Sequence, residues 1–557
     1  MGMGIRRAMT PGRLRTPARA RYVLFMVLHD APSLIPFPSS VQLGEADVPL
    51  RSVRLTGDPD TVALLHADLE ALLGRDVLSD TGTTEIALGI DATRGTVEGY
   101  TLDADAEGIR ITGHDAAGLF YGTRTLLQLL RRGERPGSAD GESGWSVPEV
   151  RIEDAPRFRY RGVMLDVARH FFGVADVERW IDRAVSLKYN HLHLHLTDDQ
   201  GWRIQIDAWP QLTGAGSGGD ATGGPGGFYT KDDIREIVAY AAARHMTVVP
   251  EIDLPGHTHA IGLGYPDLVE LPAITEANIT EAAALNQPLP VHGVHYAAWG
   301  VGHSSVRIHE ERTYDLIRDV LTEVAELMPG PYLHIGGDEC LGTSAADFAL
   351  FFERAGRLAA ATGKTPVAWH EAGAVDGLVT GMIGQYWGSA VPQGDHAAHA
   401  RRFVERGGAL ILSPSDRAYL DMKPRADHPR GLAWAGIVAL RTSYDWDPAT
   451  VLDGVPAASI LGVEAPLWTE SVTTLAEADG LAFPRIAAQA EIGWSEQNGA
   501  ERSWRSFRAR VAQLVPAWEA SGIAVDRAAL DDDPEHDEGV PQARIHPASA
   551  PSTEETA

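Results

Sequence analysis

From about residue 160 onward, short apolar runs alternate with stretches in which apolar residues recur every three or four positions. The first pattern fits strands covered on both faces, and the second fits amphipathic helices. Strands are predicted over residues 162–167, 191–196, 247–252, 332–335, 366–369, 384–387, 409–412 and 462–467. A helix over 231–244 is announced by Thr230 three residues before Asp233, a variant of the capping box. Eight βα units in series predict an α/β fold, a (β/α)8 TIM barrel, with functional side chains just past the strand ends.

The chain before the barrel reads differently. Residues 61–73 and 116–130 are helical in pattern, while 85–90 and 108–112 alternate like strands. Residues 131–146 are rich in Gly, Ser and charge and read as an exposed connection. The expected organisation is a basic and apolar extension over 1–33, a small α/β accessory domain over 34–150 and the catalytic barrel over 151–525. An acidic disordered tail over 526–557 follows. The glycine-rich residues 214–227 lack a GxxxxGK[ST] pattern and are expected to form a flexible loop.

Composition narrows the function class. The 557 residues carry 76 acids and 48 bases, a net charge of −28. That argues against nucleic acid or an anionic membrane as partner. The single cysteine, Cys340, permits no intrachain disulfide and no cysteine-based zinc site, and reads as a small residue packed behind its neighbours. The first 21 residues hold six arginines ahead of the apolar run Tyr22 to Leu28. The run is short and no small-x-small cleavage site follows, so a cytoplasmic location is expected over a secreted one.

The chemistry collects at the predicted strand ends. Asp166 and Arg169 follow the first strand, Asp198 and Asp199 the second, and Glu251, Asp253 and His257 the third. Asp338-Glu339 follows the fourth, Trp369-His370-Glu371 the fifth and Trp387 the sixth. Tyr419 and Asp421 follow the seventh, and Trp468 and Glu470 the eighth. Acids beside aromatics suit a pyranose, whose apolar faces stack on indole and whose hydroxyls need polar partners. The adjacent acids in Gly336-Gly337-Asp338-Glu339 suggest paired carboxylates for glycosidic bond cleavage.

The runs Leu165-Asp166-Val167-Ala168-Arg169-His170-Phe171, His193 to Trp202, Val249 to His257, Gly336 to Glu339 and Glu464 to Glu470 resemble the bacterial family-20 β-N-acetylhexosaminidases. The resemblance implies an exo-acting enzyme that removes terminal non-reducing β-linked GlcNAc or GalNAc. In that family the substrate's own 2-acetamido oxygen is the nucleophile, and configuration is retained through an oxazolinium intermediate. Glu339 is then the general acid and base, and Asp338 orients the acetamido group and steadies the positive charge. A protonated acid beside an ionised one would require environmentally split pKa values.

By the same resemblance, His257 and Asp253 relay toward Glu339, and Tyr419 donates to the acetamido carbonyl. Arg169, with Asp198 nearby, meets the 3- and 4-hydroxyls. Trp369, Trp387 and Trp468 wall the acetamido methyl, Asp421 and Glu470 bind outer hydroxyls, and Trp434 lies on the aglycone side. The implied partner is an amino-sugar oligosaccharide or glycoconjugate, with no cofactor and no metal.

Residues 271–303 form a longer stretch after strand three than the bacterial members carry, expected at the barrel mouth. It either bears on which leaving groups fit or is a surface insertion without effect. Two rival readings follow from other features. His191, His193 and His195 share one strand face, as in a metal-dependent amidohydrolase. The alternative for these histidines is packing in the barrel interior. A non-catalytic sugar-binding protein is the second rival, opposed by the presence of Asp338, Glu339 and Tyr419.

Overall fold

The structure, a computed structural model, describes residues 32–134, 143–499 and 501–531. The amino-terminal extension and most of the acidic tail lie outside these residues. Within the tail, Arg527–Leu530 forms a helical turn with Ala529 buried, and Asp526 pairs with Arg425 at 2.5 Å. The expected disorder therefore does not begin at 526, because this segment has both an apolar anchor and a charge partner.

The first layer is a sheet of seven strands: β1 (Ser40–Pro49), β2 (Val53–Gly57), β3 (Thr84–Ile90), β4 (Tyr100–Asp105), β5 (Gly108–Gly113), β6 (Arg131–Glu134) and β7 (Ser143–Asp154). Their order is β1-β7-β4-β5-β3-β2, with β6 added on β7. The expectation of an exposed connection over 131–146 is corrected here. Arg131 pairs with Ser146 and Arg132 with Trp145, so both flanks are strands despite their polar composition. β7 then runs through residue 150 to Asp154, because Val150 and Ile152 supply an inward face.

Helix Ala116–Leu129 is buried along nearly its whole length, since it is covered by the sheet and by the barrel. Tyr121 meets Trp494 edge-on at 5.3 Å, and Gln128 donates to Ser186 O at 3.3 Å. A buried charge cluster ties the two layers. Lys188 Nζ donates to Asp154 Oδ2 and to the Tyr100 hydroxyl, each at 2.9 Å, and Trp494 Nε1 donates to the same carboxylate at 3.0 Å.

The second layer is the barrel. Its strands are β8 (Tyr160–Asp166), β9 (His191–His195), β12 (Thr247–Glu251), β13 (Tyr332–His334), β14 (Thr365–Trp369), β15 (Ile383–Tyr386), β16 (Leu410–Leu412) and β17 (Ile460–Ala465). A short hairpin of β10 (Thr197–Asp198) and β11 (Gly201–Trp202) follows β9. All eight barrel strands pair in parallel and close between β17 and β8. Each predicted strand is present. The capping box at Thr230 and Asp233 opens helix Lys231–Ala243 as expected.

Inside the barrel, Tyr160, Val249, Val367, Ile383 and Ile411 form an apolar floor. Above it lies a polar layer, and then the aromatic mouth. Residues 214–227 are held rather than free. Arg203, fully buried, donates to the carbonyls of Ser217 and Gly227 at 3.2 Å and of Gly219 at 2.9 Å. No helix among the described residues is long and apolar enough to cross a membrane.

Candidate active site

The acid pair is presented by a glycine kink. After β13, Gly336 and Gly337 adopt φ of 67° and 111°, a region open to glycine. A Cβ on Gly336 would overlap the Asp253 carboxylate, and one on Gly337 would strike the Phe352 ring. Glu339 itself sits at φ 49° and His257 at φ 54°, left-handed conformations that cost a side-chain-bearing residue on the order of 1 kcal/mol or more. Asp338 is thereby turned inward and buried, while the Glu339 side chain keeps 29 % of its surface exposed.

His257 faces the pair. Its Nε2 lies 3.5 Å from Glu339 Oε2 and 3.9 Å from Asp338 Oδ2. Its Nδ1 lies 3.1 Å from Asp198 Oδ1. Burial opposes a charge on this imidazole, but the carboxylates of Asp198, Asp253 and Asp338 outweigh it and hold it well above its ordinary range.

Two expectations are corrected at this point. The carboxylate bonded to His257 is Asp198, not Asp253. Asp198 is not free for a sugar hydroxyl, because it is fully engaged: Arg169 Nη1 at 2.8 Å, His195 Nε2 at 2.9 Å, the Asp199 amide at 2.5 Å and His257. Asp253 instead accepts the Gly337 amide at 3.1 Å and so braces the kink. Burial and the adjacent Asp338 hold the Asp253 carboxyl well above the usual range.

Asp338 is itself shifted by its surroundings. Burial pushes its carboxyl up to about 6, His257 pulling it down and Glu339 pushing further up. The acid expected to be ionised is thus inclined by its own burial to keep its proton to a higher pH than a free carboxyl. Its Oδ1 is buried and has no hydrogen-bond partner. A positive charge beside it would reverse the inclination.

An aromatic box stands next to the acids. Trp369, Tyr419 and Trp468 are buried together with Met164, and Trp387 and Trp434 pack against them. Trp369 and Trp468 lie 6.0 Å apart, Tyr419 and Trp434 5.9 Å, and Trp387 and Trp434 5.9 Å edge-on. Burial first, then the charges of Asp421 and Asp338, push the Tyr419 hydroxyl well above its ordinary value. On the far side, Asp421 Oδ2 and Glu470 Oε2 are buried without partners, as is Arg169 Nε. Burial pushes Glu470 up to about 7, despite the opposing pull of Arg169. Arg169 also lies over Trp468 at 4.9 Å.

Beneath the box is a charged layer that the strand-end pattern does not reveal. Glu251 accepts from Trp369 Nε1 at 2.9 Å, pairs with His195, and lies 2.9 Å from His334 Nδ1 and 3.2 Å from His193 Nε2. Burial alone would raise its pKa, but His334, His195 and His193 together hold it well below the usual range. His193 Nδ1 reaches Glu464 at 2.9 Å, and Glu464 also binds Tyr160 and Gln385 at 2.6 Å. His191 stacks on Tyr160 at 4.1 Å. The three histidines therefore pack in the barrel interior.

The alternating face of β9 could have signalled this layer, because it needs acids on neighbouring strands at the same height. Among the described residues, four groups, including His193 with Glu251 and His334, and His257 with Asp338 and Glu339, bring possible metal-ligand atoms within 4.8 Å. Their residues already engage neighbours in ion pairs or hydrogen bonds, the arrangement of a charge network. Glu371, in sequence only part of a strand end, also has a defined partner. Both its oxygens accept the Trp387 indole N–H, at 2.9 and 3.0 Å.

The stretch 271–303 is ordered around helix Glu276–Leu285, which opens on a capping box of Thr275 and Asn278. Its stem closes where Ala273 N meets His303 O at 2.8 Å, and Thr343 Oγ1 bonds Ser305 beside it at 2.8 Å. It borders the turn that follows Glu339. Cys340 Sγ lies 3.1 Å from Asp338 O, and burial, then the charges of Asp253 and Asp338, push its thiol well up, which disfavours a thiolate.

Inward and outward acids at a barrel mouth, with indoles at hand for a sugar face, are the equipment of a (β/α)8 glycoside hydrolase, and that is the class the site defines. Residues 158–347 and 341–497 match the model for glycosyl hydrolase family 20, catalytic domain, and residues 31–155 match that for domain 2 of the same family. The chain belongs to glycosyl hydrolase family 20. It is 40% identical to a β-N-acetylhexosaminidase of Cellulomonas fimi over 76% of this chain and 79% of that protein. A β-hexosaminidase of Akkermansia muciniphila is 32% identical over 74% of this chain and 82% of its own. Among solved structures, a family 20 β-N-acetylglucosaminidase at 50% identity superimposes with a TM-score of 0.82, covering 89% of this chain and 98% of that one. A Streptomyces plicatus N-acetyl-β-hexosaminidase bound to Thio-NAglucal gives 0.78 at 42% identity, covering 89% and 96%.

Proposed function

We infer that this chain is an exo-acting β-N-acetylhexosaminidase, releasing terminal non-reducing β-linked GlcNAc or GalNAc from an oligosaccharide or glycoconjugate by substrate-assisted catalysis. One observation carries the mechanism. The two acids are chain neighbours whose carboxylates converge on His257 Nε2 within 4.8 Å of each other, so they approach a sugar from one side and do not flank it as nucleophile and acid must. The nucleophile is then supplied by the substrate.

In this reading the acetamido group enters the box of Trp369, Trp387 and Trp468. Asp338 Oδ1, unpartnered and buried, accepts the acetamido N–H. Tyr419 donates to the acetamido oxygen and aims it at the anomeric carbon. Asp338, ionised above a carboxyl value of about 6, faces the positive charge that develops on the ring, so stabilisation is strongest at the transition state. Glu339, on the more open side, protonates the leaving oxygen and then takes a proton from water. His257, oriented by Asp198, adjusts the charge beside Glu339 between those steps. Arg169, Asp421 and Glu470 offer the remaining unpartnered polar atoms to the ring hydroxyls. A relative from Streptomyces plicatus solved with GlcNAc as product supports the substrate class. The net charge of −28 supports a carbohydrate partner over nucleic acid or an anionic membrane.

The test is release of nitrophenol from the N-acetyl-β-glucosaminide. Glu339→Gln is expected to lower kcat by about 10²- to 10⁴-fold, and Asp338→Asn by about 10²- to 10³-fold. A thiazoline mimic of the intermediate should compete with substrate. Undiminished turnover in Glu339→Gln, or full activity at saturating mimic, overturns the assignment. Activity abolished by a chelator and restored by zinc would favour the amidohydrolase reading, which family membership does not.

A further inference from the structure

Behind two walls of the aromatic box stand carboxylates that have no part in the proton transfers described above. Glu251 takes the indole N–H of Trp369 at 2.9 Å, and Glu371 takes that of Trp387 through both oxygens. The strand register explains the second contact. Ala368 pairs with Gly384 and Trp369 with Gln385, so Glu371, two past Trp369, arrives beside Trp387, two past Gln385. Glu371 is otherwise placed at a cost, desolvated and close to the like charges of Asp338 and Glu339. A third acid beside an acid pair is unfavourable unless it holds something. Glu371 lies 3.2 Å from His370 Nδ1, and the ring it takes through both oxygens is that of Trp387.

We propose that Glu371 is a positioning residue that fixes the Trp387 indole and thereby sets which N-acyl group the pocket accepts. The proposal rests on the pocket reading given above. An indole can pivot about two torsions, and the paired N–H···O contacts remove that freedom at the wall where acyl length is felt. Glu251 does the same for Trp369, but it is also the hub of three histidines, so the separable member is Glu371.

The experiment compares nitrophenyl glycosides bearing N-acetyl and N-propionyl groups. One methylene in a tight apolar pocket corresponds to about 10- to 200-fold in kcat/KM. Glu371→Met is expected to erode the acetyl-over-propionyl preference by roughly fivefold or more, with acetyl turnover falling through kcat rather than KM. Glu371→Gln keeps an acceptor oxygen for the indole N–H, and should retain the preference.

In a double-mutant cycle with Trp387→Phe, which removes the N–H, the two effects should be strongly non-additive. The near-ultraviolet circular dichroism of the indoles reads ring placement without substrate, and should change in Glu371→Met but not in Glu371→Gln. Equal losses on both substrates, Gln behaving like Met, or additive effects in the cycle would each overturn the proposal. A wild type inert on the acetyl substrate but showing the expected spectra would instead overturn the functional reading and leave the ring-holding role standing.

Discussion

Asp198 and Asp253 show how much a single residue's role depends on its neighbours. Both are buried acids after barrel strands, yet Asp198 is surrounded by Arg169, His195 and His257, and these hold it well below the usual range against the cost of burial. Asp253 is held well above that range by burial and by the Asp338 it faces. Asp198→Asn should therefore cost about 10²-fold or more in kcat, because the amide cannot sustain the His257 charge. Asp253→Asn should cost far less, since the amide oxygen can still accept the Gly337 N–H and burial already disfavours the charge it removes. Stopped assays of the two purified variants check this, and equal losses would refute it.

The same scale sets a pH dependence. In the role proposed for it, Asp338 must be ionised when the ring becomes cationic, and its carboxyl is raised to about 6 before substrate binds. Below that pH it carries a proton, so kcat/KM should fall about tenfold per unit on the acid side. A kcat/KM profile flat down to about pH 4 would contradict the assignment.

At the scale of an element, the turn after β13 is the most constrained. Gly336 needs both a positive φ and the space that a Cβ would take from Asp253. Gly336→Ala should destabilise the protein by about 2 kcal/mol or more, from backbone strain and displacement of a buried carboxyl. Thermal unfolding reads the loss, and an unchanged Tm would show that the turn relaxes freely. Elements of this kind are legible in the sequence because apolar runs and paired glycines are local signals. β6 and the start of β7 are not, because a strand can recruit polar residues when its partner supplies the hydrogen bonds. Residues 214–227 mislead in the same way. Their order comes from Arg203, whose bonds to three distant carbonyls leave no trace in local composition.

At the scale of the whole molecule, the sheet and barrel are joined through Lys188, Asp154, Tyr100 and Trp494. Burial lowers the Lys188 pKa, and Asp154 restores part of that loss. Lys188→Ala leaves Asp154 buried without its cation, and should cost about 3–5 kcal/mol. Urea unfolding monitored by tryptophan fluorescence would show the lowered midpoint, and an unaltered one would mean that Tyr100 and Trp494 suffice.

The sequence by itself determined the barrel and its eight strands and marked the acid pair as the candidate chemistry, because buried strands must be apolar and barrel chemistry sits at their ends. It also carried enough motif to mark the family. Only the tertiary structure decided how the charges are shared. Which carboxylate serves His257, which acid is raised by burial, and which acids hold Trp369 and Trp387 depend on distances between residues far apart in the chain. Electrostatic roles fall off with distance in space, and a linear order of residues does not contain that distance.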